Sequence, residues 1–336
     1  METATLRLDA NEGRPCMHAA ALAALVDSEV LRRYPDPSRL EAALAARMGI
    51  SPERVIATAG ADDAIDRAIR SYGLSKATVL STAPAFEEYA AAASRSGARY
   101  IAAPRAPDGP FPLAALVAAI RAERPAIVVV ASPDNPGGGT ISPSELRALA
   151  KESAQACSAT VLLDAAYSDF DEDREVYDIA IGVPGVITTN TFSKAYGLAG
   201  LRAGWAAGQA EDIARLRRAG PPFAQSAFSV AAALFALESG TDSVEAFVAE
   251  VQRERLLLQA ALGRIGARTW AGKANFVAAI VPDAPAFSEA LAKDGIKIRS
   301  WPGKPGRENL IRITCPGDES EFRTLLAALE RLRRLT

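Results

Sequence analysis

Histidine occurs once in this 336-residue chain, at His18. A Ser-His-Asp arrangement would rest on that one residue, and a zinc site of histidine and cysteine has no cluster to use. His18 reads as a plain helix-face residue. Cysteine is nearly as scarce. Cys16, Cys157 and Cys315 lie about 140 to 160 residues apart, match no metal or disulfide spacing, and read as packing residues in a reducing compartment. No apolar run approaches the ~18 residues of a membrane span, and the opening METATLRLDANEG carries acidic residues and no apolar h-region. There is no excess of one charge either: 38 basic residues face 40 acidic ones, a formal net charge of −2. A nucleic-acid binder would show a basic excess or stripe. Neither Gly-x-Gly-x-x-Gly nor Gly-Lys-Ser/Thr occurs. These absences predict a soluble cytoplasmic protein with no metal, membrane or nucleic-acid partner. Its chemistry must run on lysine, carboxylates, hydroxyls or a borrowed group.

What is present alternates. RVIATAG reads as a short buried strand before the helical ADDAIDRAIRSYG, and KATVLST precedes AFEEYAAAASRSG in the same way. PAIVVVAS, SELRALAKESAQA, ATVLLD and GVITTNTF continue the series. Short β-branched runs between helices imply an α/β fold, with a mostly parallel central sheet and helices on both faces. From about 246 the pattern changes to one long helix, the strands NFVAAIVP, IKIRSW and LIRIT, and a closing helix whose tail ERLRRLT reads as a solvated face. The expected division is a large α/β domain over 33–245 and a smaller α+β domain over 1–32 and 246–336.

Ligands of open parallel sheets sit beyond the carboxyl ends of the strands. After RVIAT come Gly60, Ala61 and Asp62, a helix start whose backbone N–H groups favour an anion. After AIVVVAS comes the rigid polar loop with Asn135. After ATVLL come Asp164 and, three residues on, Tyr167. After GVITTNTF come Ser193 and Lys194. Four strand ends thus bring together an anion site, an amide, a carboxylate, a phenol and a lysine. That set is what pyridoxal 5′-phosphate (PLP) needs: a lysine for the Schiff base, a carboxylate for the ring nitrogen, and donors for the phosphate.

TFSKAYGLAG resembles the lysine-attachment signature of class II PLP-dependent aminotransferases of fold type I, and SPDNPGG resembles their SPNNPTG loop. LLDAAY, RYPDPS, AGADDAID and LIRIT fall in the family's order, and the resemblance, over about residues 6 to 330, is strongest to the histidinol-phosphate aminotransferases. It implies that Lys194 is the Schiff-base lysine, that Asp164 pairs with the pyridine nitrogen, and that Tyr167 and Asn135 meet the phenolic oxygen. Phe86 would stack on the ring. The backbone of Gly60, Ala61 and Asp62, with Ser193 and Arg202, would hold the phosphate, joined by Tyr34 from the partner of a homodimer with shared sites. Arg312 would bind a substrate carboxylate, with Asn11 and Arg299 also facing substrate. The implied reaction moves an amino group between histidinol phosphate or an aromatic or similar amino acid and 2-oxoglutarate. Alternatives are a PLP-dependent lyase like threonine-phosphate decarboxylase and a non-enzymatic PLP-binding regulator. The sequence departs from the family at Ala165, where Glu is usual, and at Asp134, where Asn is usual; the chain also begins almost at LRLDANEG, without the family's longer arm, and NEGRPC differs from the usual Asn-Glu-Asn-Pro.

Overall fold

Runs rich in Val, Ile, Leu and Thr form the strands of two sheets in the computed structural model, which describes residues 5–73 and 76–333. The last three residues of the tail ERLRRLT lie outside the described residues. In chain order the strands are β1 (Leu6–Leu8), β2 (Val55–Thr58), β3 (Thr78–Ala83), β4 (Arg99–Pro104), β5 (Ile127–Ala131), β6 (Thr160–Asp164), β7 (Val186–Thr191), β8 (Gly204–Ala207), β9 (Arg268–Thr269), β10 (Phe276–Ile280), β11 (Ile296–Ser300) and β12 (Leu310–Thr314).

The larger sheet has the order β2-β8-β7-β6-β5-β3-β4, parallel from β4 through β7, with β8 antiparallel to both of its neighbours. Its middle strands are buried on both faces, which is why they read as unbroken apolar runs. Alternate residues serve opposite faces. Val128, Val130, Val161 and Leu163 pack with Leu116, Ile120, Leu146 and Leu149. Ile127, Val129 and Leu162 pack with Ile65, Ala68 and Ile69 of the helix Ala61–Tyr72. From β3 the chain steps outward to β4, then returns to lay β5, β6 and β7 on the other side. The order therefore reverses between β3 and β5, and the carboxyl ends there open a crevice of the kind ligands use.

The smaller sheet has the order β1-β11-β12-β10-β9. The chain start joins it, with Leu6, Arg7 and Leu8 pairing in parallel with Ile296, Lys297 and Ile298. The helices Thr241–Arg264 and Glu319–Arg333 cover it through Leu258, Leu262, Phe322, Leu325 and Leu329. His18 is not a helix-face residue: it is exposed and sits at the N-cap of the helix Ala19–Ala24. The segment between β1 and that helix lies directly on the lysine loop. A Cβ at Gly13 would fall 1.7 Å from the Lys194 carbonyl oxygen, and one at Gly197, whose φ is +66°, would fall 2.0 Å from the Arg14 carbonyl. Only glycine lets two backbones meet so closely.

Candidate active site

A cavity of about 420 Å³ opens where the carboxyl edge of the large sheet faces the small one. At one end the helix Ala61–Tyr72 starts after Gly60, whose φ of +85° aims the chain into the turn. The first N–H groups of that helix have no helical acceptor and carry the positive end of its dipole. Arg202 closes this end. Its guanidinium donates to Asp62 Oδ2 at 2.8 Å and to Ser193 Oγ at 3.4 Å, and a side chain at Gly60 would overlap it, a Cβ there lying 2.7 Å from Nη2. Arg202 itself adopts φ +50°, the left-handed conformation that ends the short helical turn Ala199–Leu201. Cation, hydroxyl and helix start together make a cradle for a phosphate-sized anion.

On the floor, Asp164 ends β6 between Ala131 and Thr189 and is buried. Burial pushes its carboxyl up to about 6, while the Tyr89 hydroxyl, donating to Oδ2 at 2.6 Å, and the Ala166 N–H, donating to Oδ1 at 3.1 Å, pull it down. Tyr89 is fully buried, its own hydroxyl held protonated by that burial and by the Asp164 charge. It escaped the sequence reading because it stands in the first turn of the alanine-rich helix Glu88–Arg95, 75 positions from its partner. Phe86 lines the cavity and meets Tyr89 edge to face, with ring centroids 5.7 Å apart.

Lys194 is half-buried. Its Nζ donates to the Ala10 carbonyl at 3.1 Å and lies 5.7 Å from the centre of the Tyr167 ring. The Tyr167 oxygen accepts from Asn11 Nδ2 at 3.0 Å and from Asn135 Nδ2 at 3.4 Å. Two donors occupy its lone pairs, so its O–H is left to donate into the cavity. Asn11 does not face the cavity as the family position implies: its Oδ1 accepts from Thr314 and its amide is turned to Tyr167. It holds the phenol through that amide.

Asn135 Oδ1 accepts from Arg312 Nη1 at 2.6 Å, and Arg312 Nη2 donates to the Asp9 carbonyl at 2.7 Å. Burial pushes the Arg312 guanidinium down from its usual range, and its Nε has no hydrogen-bond partner. Arg299 and Arg307 line the same end, around Trp301. The Asn135 loop is fixed from below by Asp134, which accepts from the Gly139 N–H at 2.5 Å and pairs with buried Arg105 at 3.2 Å. From the small sheet's side, Trp270 Nε1 donates to the Gly137 carbonyl of the same loop at 2.8 Å.

The cavity wall thus gathers Ala61, Asp62, Phe86, Asn135, Asp164, Tyr167, Ser193, Lys194, Arg202, Arg299 and Arg312. Tyr34 is not among them. It is 78% exposed and stacks on Phe223 with ring centroids 4.4 Å apart. Among the described residues no helix is long and apolar enough to cross a membrane, and no group of His, Cys, Asp and Glu could hold a metal.

The family model for aminotransferase class I and II matches residues 5–329. A histidinol-phosphate aminotransferase from Chromobacterium violaceum is 34% identical over 334 residues, covering 97% of this chain and 92% of that protein. Histidinol-phosphate aminotransferase 2 of Caulobacter vibrioides is 34% identical over 321 residues, covering 94% of this chain and 82% of that one. The structure of the histidinol-phosphate aminotransferase from Sinorhizobium meliloti, in complex with pyridoxal-5′-phosphate, superposes with a TM-score of 0.87 at 27% identity, covering 98% of this chain and 91% of that one.

Proposed function

The chain belongs to the aminotransferase class I and II family and is a transaminase, and on that premise we propose that it holds PLP on Lys194 and moves amino groups between glutamate and a donor of the histidinol-phosphate kind. The observation that carries this reading is the convergence in one cavity of a lysine amine, a buried carboxylate and an anion cradle. Those residues fit PLP: Ser193, Arg202 and the helix start match its phosphate, Phe86 its ring face, Asp164 its ring nitrogen, and Tyr167 and Asn135 its phenolic oxygen. We extend the same proposal to two domains, 33–245 carrying the cofactor residues and 1–32 with 246–336 carrying Arg299 and Arg312.

When bound, PLP supplies a protonated ring that takes up the charge left on an amino donor when its α-proton is removed. Asp164, when ionised, would hold the ring nitrogen protonated. Lys194 would hold the cofactor through its amine and, when that amine is free, would take up the proton from the donor's α-carbon. Arg312 fixes a carboxylate or other anion of the donor with its planar fork, which meets two oxygens at once. A panel of amino donors with 2-oxoglutarate tests the reading. Glutamate formation with histidinol phosphate at the highest kcat/KM is expected. Carbon dioxide released from threonine phosphate without any keto acid would overturn it in favour of a lyase.

Tyr89 gives a pH-dependent check. Its hydroxyl lowers the Asp164 carboxyl, so Tyr89→Phe lets that carboxyl rise. Asp164 must be ionised to act; activity is therefore present above its pKa and lost as pH falls through it. The acid limb of the variant's kcat profile should move to higher pH by about one unit, the size of one charge-assisted hydrogen bond. An acid limb that stays put would remove Tyr89 from this role.

We also propose a homodimer in which Tyr34 serves the partner's phosphate cradle. Supporting it, Tyr34 and Phe223 stack on the surface, and Phe223 borders a depression lined by Pro35, Pro37, Pro221 and Pro222 together with Glu41, Arg67 and Arg217. An exposed aromatic pair of this kind, 78% and 51% exposed, suits a two-fold interface. Tyr34→Phe should lower activity. When an inactive Tyr34 variant is unfolded and reassembled with Lys194→Ala, each hybrid dimer carries one site with both lesions and one with neither. Up to about a quarter of wild-type activity should then return by random pairing. No recovery despite confirmed hybrids would contradict shared sites.

A further inference from the structure

Beneath the Asn135 loop lies a charge pair that does not reach the cavity wall. Arg105 and Asp134 have side chains only 2% and 6% exposed, and neither lines the cavity. Arg105 Nη2 stands 3.2 Å from Asp134 Oδ1 but off the line of a hydrogen bond, and its Nε has no hydrogen-bond partner. Among the described residues, Asp134 is the one carboxylate paired with this guanidinium. Burial pushes the Asp134 carboxyl up; the Arg105 charge is the strongest pull back down, followed by the N–H groups of Gly139 and Gly137. The loop is wound around that carboxylate. Oδ1 accepts from the Gly139 N–H at 2.5 Å and Oδ2 from the Gly137 N–H at 3.3 Å, while the Asp134 backbone bonds Gly138 and Gly139 at 2.8 Å. Nor is there slack against Arg105. A Cβ at Gly139 would fall 2.4 Å from Arg105 Nη2, and one at Gly137 would fall 2.5 Å from the Pro107 carbonyl oxygen. Asn135 sits inside this winding, so its bonds to Tyr167 and Arg312 depend on where the loop holds it.

We propose that Arg105 and Asp134 are positioning residues for the reaction: a buried ion pair that fixes the loop so that Asn135 Nδ2 meets the phenolic oxygen of PLP. This rests on the reading that PLP occupies the cavity with that oxygen beside Asn135. The two residues belong together. The asparagine usual at position 134 in the family would still offer an oxygen to Gly137 and Gly139, but it would leave Arg105 a buried cation with no counter-charge. Removing one half of a buried pair strands the other charge in the interior, at a cost far above that of removing both. The stranded group reaches water only if the loop opens, and Asn135 moves with it. Removing both charges leaves the winding intact, because an amide oxygen at 134 can still accept the same N–H groups.

The test is the pH titration of the visible absorbance of lysine-bonded PLP in the loaded protein, which needs no turnover. A donor to the phenolic oxygen stabilises its charged form, so losing that donor raises the midpoint. Asn135→Ala sets the scale, with an expected rise of about one unit, the size of one charge-assisted hydrogen bond. Asp134→Asn, which strands Arg105, should raise the midpoint by about half a unit or more. The double variant Arg105→Leu/Asp134→Asn should return to within about 0.3 unit of the wild type. Arg105→Lys keeps a buried cation with a shorter reach and should shift the midpoint the same way but less, which preserves a test if Asp134→Asn folds poorly. A purely structural pair would change melting temperature and leave the midpoint alone. Wild-type midpoints in Asp134→Asn and Arg105→Lys while Asn135→Ala shifts, or a double variant no closer to the wild type than Asp134→Asn, would overturn the positioning role. A failure of the underlying reading looks different: Asn135→Ala would titrate like the wild type, or the wild type would show no visible band, and the positioning role would fall with it.

Discussion

Lys194→Ala is expected to abolish transamination, with a loss on the order of 10⁴-fold or more, because one substitution removes both the covalent anchor and the proton carrier. The visible absorbance of lysine-bonded PLP should vanish with it. Cofactor affinity should fall less, because Arg202, Ser193 and the start of the helix Ala61–Tyr72 are untouched. The fold should hold as well. The lysine side chain is half-buried with its amine on the Ala10 carbonyl, and the close approach of Gly13 to residue 194 involves backbone alone. Turnover, absorbance and equilibrium PLP binding check the three parts. A variant that keeps a tenth of wild-type turnover would remove Lys194 from the chemistry.

Asp164→Asn should keep the shape of the floor and lose its charge. An amide cannot hold the ring nitrogen positive, so turnover should fall on the order of 10²-fold or more while PLP still binds. Tyr89 then donates to a neutral acceptor, so little else in the buried site changes. Single-turnover rates with glutamate measure the effect directly, and near-normal rates would take Asp164 out of the mechanism.

The residues that end strands were legible in the sequence. Asp164, Ser193 and Lys194 follow β-branched runs, and the topology of parallel sheets sends the ends of such runs to one edge. What the sequence leaves open is whatever depends on long-range pairing. Nothing local marks β8 as antiparallel, since GWAA is too short to carry a direction and owes its place to β2 and β7 on either side. Tyr89 reads as one more residue of an alanine-rich helix until the fold sets its hydroxyl against Asp164. Asn11 has the residue type of a substrate contact, yet the pairing of β1 with β11 sets it against Thr314 and Tyr167. Arg307 lies in a turn between Lys304 and Leu310, and only the packing around Trp301 connects it to the cavity.

Reduction of the PLP-loaded protein with borohydride, followed by peptide mass mapping, tests the central claim most directly, because it fixes the cofactor to the lysine that holds it. The account predicts the pyridoxyl mass on the peptide containing Thr191-Phe192-Ser193-Lys194. A label on any other lysine, or no label on a protein that transaminates, would contradict it.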